Sequence, residues 1–324
     1  MITVPFDSWA NNLDITNTVE QANLEQYFGP AAVAFNTYQG AVSGILEVLG
    51  ARSSIVPVIM SITASPDTLA AVLRAGGDPI LLDIHPQTLQ IDPTLLRSIL
   101  DEIKTAVVIF ARPGGQPVDP QLLEMTKDLP TILDSRLPPH VHIVDDCVCT
   151  FNVFDLGVVV GSGAVVIHRF KEQVTELKQV RSGLLGLSGS LNSVLAGYAL
   201  RQLKHDPVLA TRRSTQEVSA MTYVNLIKDK FTYPFDSSPE WPYFIVGVEN
   251  ADRAVAHLHG LGVEIVKPVF PLHLLSDINR RWVEKPEYPV AESLCGKLVA
   301  LPTHLGILGK EDMIISALLE VSNG

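Results

Sequence analysis

The sequence predicts an α/β fold in two parts. A large N-terminal domain, residues 1–210, carries a doubly wound, mostly parallel sheet, and a small α+β domain follows over 211–324. Three observations carry this reading. From residue 31 onward, short apolar runs alternate with segments of helical spacing, the order that builds βαβ units. The apolar runs are nearly continuous rather than alternating, as expected when helices cover both faces of a parallel sheet. Past residues 205–215 the rhythm changes and the strands become sparse.

Taken in order, "AAVAF" (31–35) predicts a strand and "GAVSGILEVLG" (40–50) a helix ending in glycine. "SSIVPVIM" (53–60) is a second strand. "SPDTLAAVLRAGG" (65–77) opens on a Ser cap and closes on glycines, which marks a helix. "DPILLDI" (78–84) is a third strand, and "DPTLLRSILDEI" (92–103) a helix with Asp and Pro at its start. "TAVVIFA" (105–111), the helix "DPQLLEMTKDL" (119–129) and "HVHIVDD" (140–146) supply the fourth strand, its crossover and a fifth strand. "VVVGSGAVVI" (158–167) reads as a hairpin about Gly161-Ser162-Gly163, and one long helix is expected from Lys171 to about Leu203. The second part predicts strands at 243–248 and 263–269 and helices at 251–262 and 310–321.

The bulk numbers narrow the function classes. Hydrophobic residues make up 47% of the 324 and charged residues 18%, enough for a large core and unlike a disordered chain. A formal charge of −11 argues against nucleic-acid and anionic-membrane partners, since phosphate binding needs clustered Lys and Arg. No apolar run is long enough to span a bilayer, and "MITVPFDSWANNLD" has neither a basic start nor an apolar signal core. Three cysteines are too few for a disulfide framework, so a reduced, cytoplasmic protein is expected.

In open α/β sheets ligands gather at the carboxyl ends of the strands. Asp83, Arg112, Asp145 and Asp146 lie at or just past such ends. "HVHIVDDCVC" holds metal-ligand types in His140, His142, Asp146, Cys147 and Cys149. Strand alternation puts the first three on one face and the two thiols on the other, so no metal is expected.

Several stretches resemble one family, the DegT/DnrJ/StrS sugar aminotransferases, which are pyridoxal phosphate (PLP) enzymes of the aspartate-aminotransferase fold. "VPVIMSITASPDTLAAVLRAGGDPILLDIHPQTLQIDP" (56–93) is similar to the family's strand–helix–strand run ending in a VDIDP-type sequence. "GGQPVDP" (114–120) resembles its Gly-Gln-Pro-x-Asp turn, and "IVDD" (143–146) its IIEDA segment. "PVFPLHL" (268–274), "YPVAESL" (288–294) and "ALPTH" (300–304) are similar to small-domain signatures, in the right order. The resemblance covers roughly residues 25–320.

It implies a chemistry with four parts: a lysine in Schiff base with PLP, an aspartate on the pyridine nitrogen, phosphate donors at the other end, and a group packed on the ring. The aspartate position falls on Asp146. The phosphate-binding turn falls on Asn36-Thr37-Tyr38-Gln39-Gly40, where the donors Thr37, Tyr38 and Gln39 are degenerate. Tyr38 replaces a small residue, and its ring is expected to fill the phosphate space.

The lysine has no counterpart, for none stands between Asp128 and Phe170. In one alignment "TFNVFD" (150–155) matches the SFHPTK-like run and Asp155 takes the lysine's place. In the other, "FDLGVVV" (154–160) matches the strand before the lysine loop, and the loop is excised. We favour the second, because the first starts a parallel strand straight after Cys149, and a parallel pair needs a crossover of about a dozen residues.

His273 matches a family position near the substrate end, and its alternative is a structural histidine. Arg112 stands past strand four, either on an anionic group of a substrate cleft or in an ion pair with a neighbour such as Asp119. Trp241 and Tyr243, in "SPEWPYF" (238–244), either line a cleft or pack internally.

Transamination is therefore expected to be lost, with no cofactor and no catalytic residue assigned. The role left is binding, assembly or regulation, as a homodimer or as a heterodimer with an active paralogue, with a sugar-like small molecule as ligand. The alternative is an aminotransferase that holds PLP or the aminated cofactor PMP non-covalently.

Overall fold

The computed structural model of the chain describes residues 19–50, 55–135, 150–155, 164–168, 171–183, 190–191, 193–205, 207–227, 243–275 and 287–322. The fold divides into two compact units that interleave in sequence. The first is Met1–Pro57, Asp67–Asp78 and Lys127–Asp206; the second is Val58–Pro66, Pro79–Thr126 and Pro207–Gly324.

The first unit holds helices α1 (Val19–Phe28), α2 (Tyr38–Val48), α3 (Pro66–Ala75), α6 (Lys171–Gly183) and α7 (Ser193–His205). Its strands are β1 (Ala32–Phe35), β5 (Thr131–Ser135), β6 (Thr150–Asp155) and β7 (Ala164–His168), side by side in the order β1-β7-β6-β5. β5 and β6 run parallel, in register from Thr131↔Thr150 to Ser135↔Phe154. β7 is antiparallel both to β6 and to β1.

Alternation along β1 sorts its side chains. Ala32 and Ala34 join Val165, Ile167, Leu24, Ala196 and Leu200 in the core under α1 and α7. Phe35 turns to α2, where Gly44 lets the helix approach: a Cβ there would lie 3.1 Å from the Phe35 ring. α2 starts where it does because Thr37 has extended backbone and its Oγ1 accepts the Gly40 N–H at 2.9 Å.

An ionic cluster pins α1 to α6. The Arg181 guanidinium, 9% exposed, meets Glu25, 7% exposed, at hydrogen-bond distance and donates to the Ala34 carbonyl at 3.0 Å. Glu25 Oε1 also accepts the Ala34 N–H at 3.0 Å, and Lys178 lies 3.2 Å from Oε2.

The second unit holds β2 (Pro57–Ser61), β3 (Asp78–Leu82) and β4 (Val107–Ala111), in the order β4-β2-β3 with β2 and β4 parallel. Helices α4 (Pro93–Glu102) and α5 (Pro120–Met125) start on Asp92 and Asp119, each accepting from the backbone two residues on, with Pro in the first helical position. Beyond them come α8 (Pro207–Ile227), β8 (Tyr243–Gly247), α9 (Ala251–Gly260), α10 (Pro289–Cys295), β9 (Leu298–Pro302) and α11 (Glu311–Ser322). β8 and β9 pair antiparallel, and Phe244, Val246, Val299 and Leu301 share one core with Tyr223, Leu258, Ile314 and Leu318.

Three expectations need correction. The fifth strand in chain order is Thr131–Ser135, because the helix before it stops at Met125 and leaves room for a short β-branched run; residues 140–146 lie outside the described residues. Among the described residues β7 pairs antiparallel with β6, at 150–155, and with β1, while residues 158–160 of the expected hairpin lie outside the described residues. The single helix over 171–203 is two, α6 and α7; α6 ends on Gly183, and the sequence between them carries Gly186 and Gly189, poor helix formers. The strand expected at 263–269 is reduced to one bridge, Val266 with Ala300, in a stretch interrupted by Pro268. Among the described residues no helix is long and apolar enough to cross a membrane.

Candidate functional site

In the first unit, three elements bring side chains together. Tyr38, the first residue of α2, is 7% exposed, and its hydroxyl lies 3.4 Å from Thr68 Oγ1 on α3. Thr68 is fully buried and donates to Asp134 Oδ2 on β5 at 3.1 Å. Asp134 is itself 5% exposed. Alongside, Gln39 Nε2 donates to Asp67 Oδ1 at 2.8 Å, and Ser43 Oγ to the Ala71 carbonyl at 3.1 Å. The parallel register sets Asp134 opposite Val153 of β6, and Asp155 ends that strand. Asp146 and the His140, His142, Cys147 and Cys149 set lie outside the described residues, as does the Gly161-Ser162-Gly163 turn. Among the described residues no group of three His, Cys, Asp or Glu is placed to hold a metal.

In the second unit, Asp83 follows β3 and is 6% exposed. Its carboxylate accepts the N–H groups of Val290 and Ala291, in the first turn of α10, both at 2.9 Å, and that of Ile84 at 2.8 Å. Asp83 is thus a helix-capping carboxylate rather than a ligand waiting at a strand end. His273 sits in a short 3₁₀ turn held by Leu272 N–H on the Ile62 carbonyl, 2.8 Å. Its Nε2 is 2.9 Å from Glu292 Oε1, and its ring packs 4.9 Å from that of Tyr288. The structure therefore joins His273, Glu292, Tyr288 and Asp83 around the start of α10.

Arg112 closes its own turn, donating from Nε to the Gln116 carbonyl at 3.0 Å and from Nη2 to the Gly115 carbonyl at 3.1 Å. The Gly-Gly-Gln-Pro turn is also stitched to the neighbouring loop. Gln90 Nε2 donates to the Pro117 carbonyl at 2.7 Å, and Gln90 Oε1 accepts the Asp119 N–H at 2.9 Å. Gln116 donates to the Thr88 carbonyl. Tyr243, from "SPEWPYF", accepts the Gly114 N–H of this turn at 3.3 Å; Trp241 lies outside the described residues.

Burial first, and the Asp83 charge second, push the Tyr288 phenol up to about 12. Burial and then the Glu311 charge raise Tyr223 as well. A phenol raised in the folded state contributes stability that is full below its unfolded value, near 10, and is lost as pH climbs through the folded value. Urea midpoints are thus expected to hold from pH ~8 to ~10 and to fall between about 10 and 12, with a shallower fall in Tyr288→Phe.

Residues 9–135 match the family model described as the DegT/DnrJ/EryC1/StrS aminotransferase family. The chain is 24% identical over 263 residues to the erythromycin biosynthesis sensory transduction protein EryC1 of Saccharopolyspora erythraea, covering 72% of this chain and 70% of that one. Over residues 9–135 the chain is thus similar to the DegT/DnrJ/EryC1/StrS aminotransferase family. Its fold matches a DegT DnrJ EryC1 StrS aminotransferase from Brucella abortus at TM-score 0.80 and 19% identity, over 97% of this chain and 93% of that one. The putative sugar aminotransferase Spr1654 from Streptococcus pneumoniae, in its PMP form, matches at TM-score 0.80 and 19% identity, over 98% and 95%. The aspartate-aminotransferase-like fold expected from the resemblance is therefore the fold observed.

The DegT-family match runs through Asp134 and ends at residue 135, short of Asp146. Asp134, near the end of β5, is a strand-end carboxylate that the sequence reading missed. Its signal was present in Pro130-Thr131-Ile132-Leu133-Asp134, a short apolar run bounded by proline and directly after a helix. β6 at 150–155 is the strand placement of the alignment that sets Asp155 at the lysine position. β5 ends at Ser135 and β6 begins at Thr150, so fourteen residues of sequence separate the parallel pair.

The described residues do not fit a pyridoxal cofactor in Schiff base. β6 ends on Asp155, and no lysine stands between Asp128 and Phe170. Asp134 Oδ2 already accepts from Thr68, the Gly40 N–H of α2's first turn is taken by Thr37, and the Tyr38 hydroxyl reaches from the head of α2 to Thr68.

Proposed function

We propose that this chain no longer carries out lysine-dependent transamination and works instead as a binding, assembly or regulatory protein of the cytoplasm. One observation carries the reading: β6 runs parallel to β5 and ends at Asp155, with no lysine between Asp128 and Phe170. Without an amine there, no internal aldimine has a starting point. The relative EryC1 is named a sensory transduction protein, which is in keeping with a regulatory use of this fold. The expected assembly is a homodimer, or a heterodimer with an active paralogue, and the expected ligand class is a nucleotide sugar or similar sugar-like molecule.

A second reading has one observation in its favour. The buried Asp134 keeps an acid at the end of β5, in keeping with a sugar aminotransferase that holds PLP or PMP non-covalently.

A titration of the purified protein with PLP, followed by near-ultraviolet and visible absorbance before and after borohydride, separates the two. The proposed function expects no saturable change. A saturable change that borohydride does not fix supports the second reading, and a reducible band lost on mutating one lysine overturns both.

A further inference from the structure

The seam between α2 and α3 carries an inference of its own. Three side-chain hydrogen bonds close it in sequence: Tyr38 to Thr68 at 3.4 Å, Gln39 to Asp67 at 2.8 Å and Ser43 to the Ala71 carbonyl at 3.1 Å. Residues 38, 39 and 43 face 68, 67 and 71, so the first two turns of one helix are clamped to the first two turns of the other. Tyr38 is the bulkiest of the six. Its aromatic ring is buried at the head of α2, and its hydroxyl ends on Thr68, which passes a hydrogen bond to the buried Asp134.

We propose that Tyr38 is a built-in stopper: its phenol fills, from within the chain, a slot sized for one six-membered aromatic ring between the head of α2 and the Thr68–Asp134 pair. This rests on the reading that the cleft no longer carries out transamination, and deepens it by naming the group that closes the cleft. The stopper is held by both of its ends. The backbone end belongs to α2, whose start is fixed by the Thr37 cap. The hydroxyl end meets a threonine whose own hydrogen bond orients it. A phenol so placed excludes a free ring of the same size, and removing it leaves an enclosed slot with a hydroxyl at its far wall. Enclosed slots of this kind take up small aromatic molecules.

The experiment is thermal unfolding of wild type, Tyr38→Ser and Tyr38→Phe, each alone, with p-cresol and with PLP. The serine removes the ring while remaining compatible with a helix start; the phenylalanine keeps the ring and removes only the hydroxyl. Tyr38→Ser is expected to melt lower than wild type and to recover by about 3 °C or more with p-cresol, whereas wild type and Tyr38→Phe do not shift.

Equal p-cresol shifts in wild type and Tyr38→Ser overturn the stopper, and so does a Tyr38→Ser protein that p-cresol leaves unchanged. If Tyr38→Ser does not fold, Tyr38→Ala, which also empties the slot but favours a helix, takes its place with the same outcomes. A PLP adduct on a wild-type lysine contradicts the proposed function instead. The p-cresol comparison still decides the stopper, since p-cresol has no aldehyde.

Discussion

Glu25→Met is expected to destabilise the first unit by about 4 kcal/mol, because it strands the Arg181 guanidinium in the interior. Arg181 is 9% exposed and would keep only the Ala34 carbonyl among the partners named above. The reverse change, Arg181→Met, is expected to cost less, about 3 kcal/mol, since Lys178 stays 3.2 Å from Glu25 Oε2 and the Ala34 N–H still donates to Oε1. The double variant is expected to cost clearly less than the sum, as two apolar side chains replace a pair that each single change leaves half-solvated. Urea unfolding of the four proteins in one buffer measures this directly. Additive costs would show that Glu25 and Arg181 act separately.

The second large effect belongs to Asp83. Its carboxylate collects three N–H groups, two of them from the first turn of α10, on which Tyr288 and Glu292 hold His273. Asp83→Ala leaves these donors without their acceptor and is expected to lower stability by about 3 kcal/mol. Asp83→Asn keeps one acceptor oxygen and is expected to cost about 1 kcal/mol. Because Tyr288 packs on His273, the near-ultraviolet circular dichroism of the alanine variant should lose tyrosine signal before global unfolding. A variant as stable as wild type would mean that α10 finds its place without the cap.

The fold was legible where local chemistry agreed with tertiary packing. The Asp-Pro starts of α4 and α5, and the apolar runs of β1 to β4, hold to within a few residues, because caps and buried strands write themselves into short windows. It was less legible around β5 and β6. Thr131–Ser135 is only five residues long and follows α5 closely, so it reads as the tail of a helix. Asn152, a poor strand former, sits in the middle of Thr150–Asp155 and hides a strand that only its pairing with β5 and β7 makes plain.

The candidate site followed the same division. The bulk of Tyr38 and the missing lysine were visible as letters. The hydrogen bonds from Tyr38 through Thr68 to Asp134 join residues far apart in sequence, and no window of the chain contains them. Asp83 shows the converse. A strand-end carboxylate looks like a ligand in sequence, and the structure places it on the N–H groups of a helix more than two hundred residues away.

The proposed loss of transamination requires that no lysine of the chain bonds the cofactor. Intact-mass measurement after incubation with equimolar PLP and borohydride reduction tests it most directly, with peptide mapping of any adduct. The expected result is the unmodified mass, with at most scattered traces on surface lysines. A stoichiometric phosphopyridoxyl adduct on one lysine would contradict it.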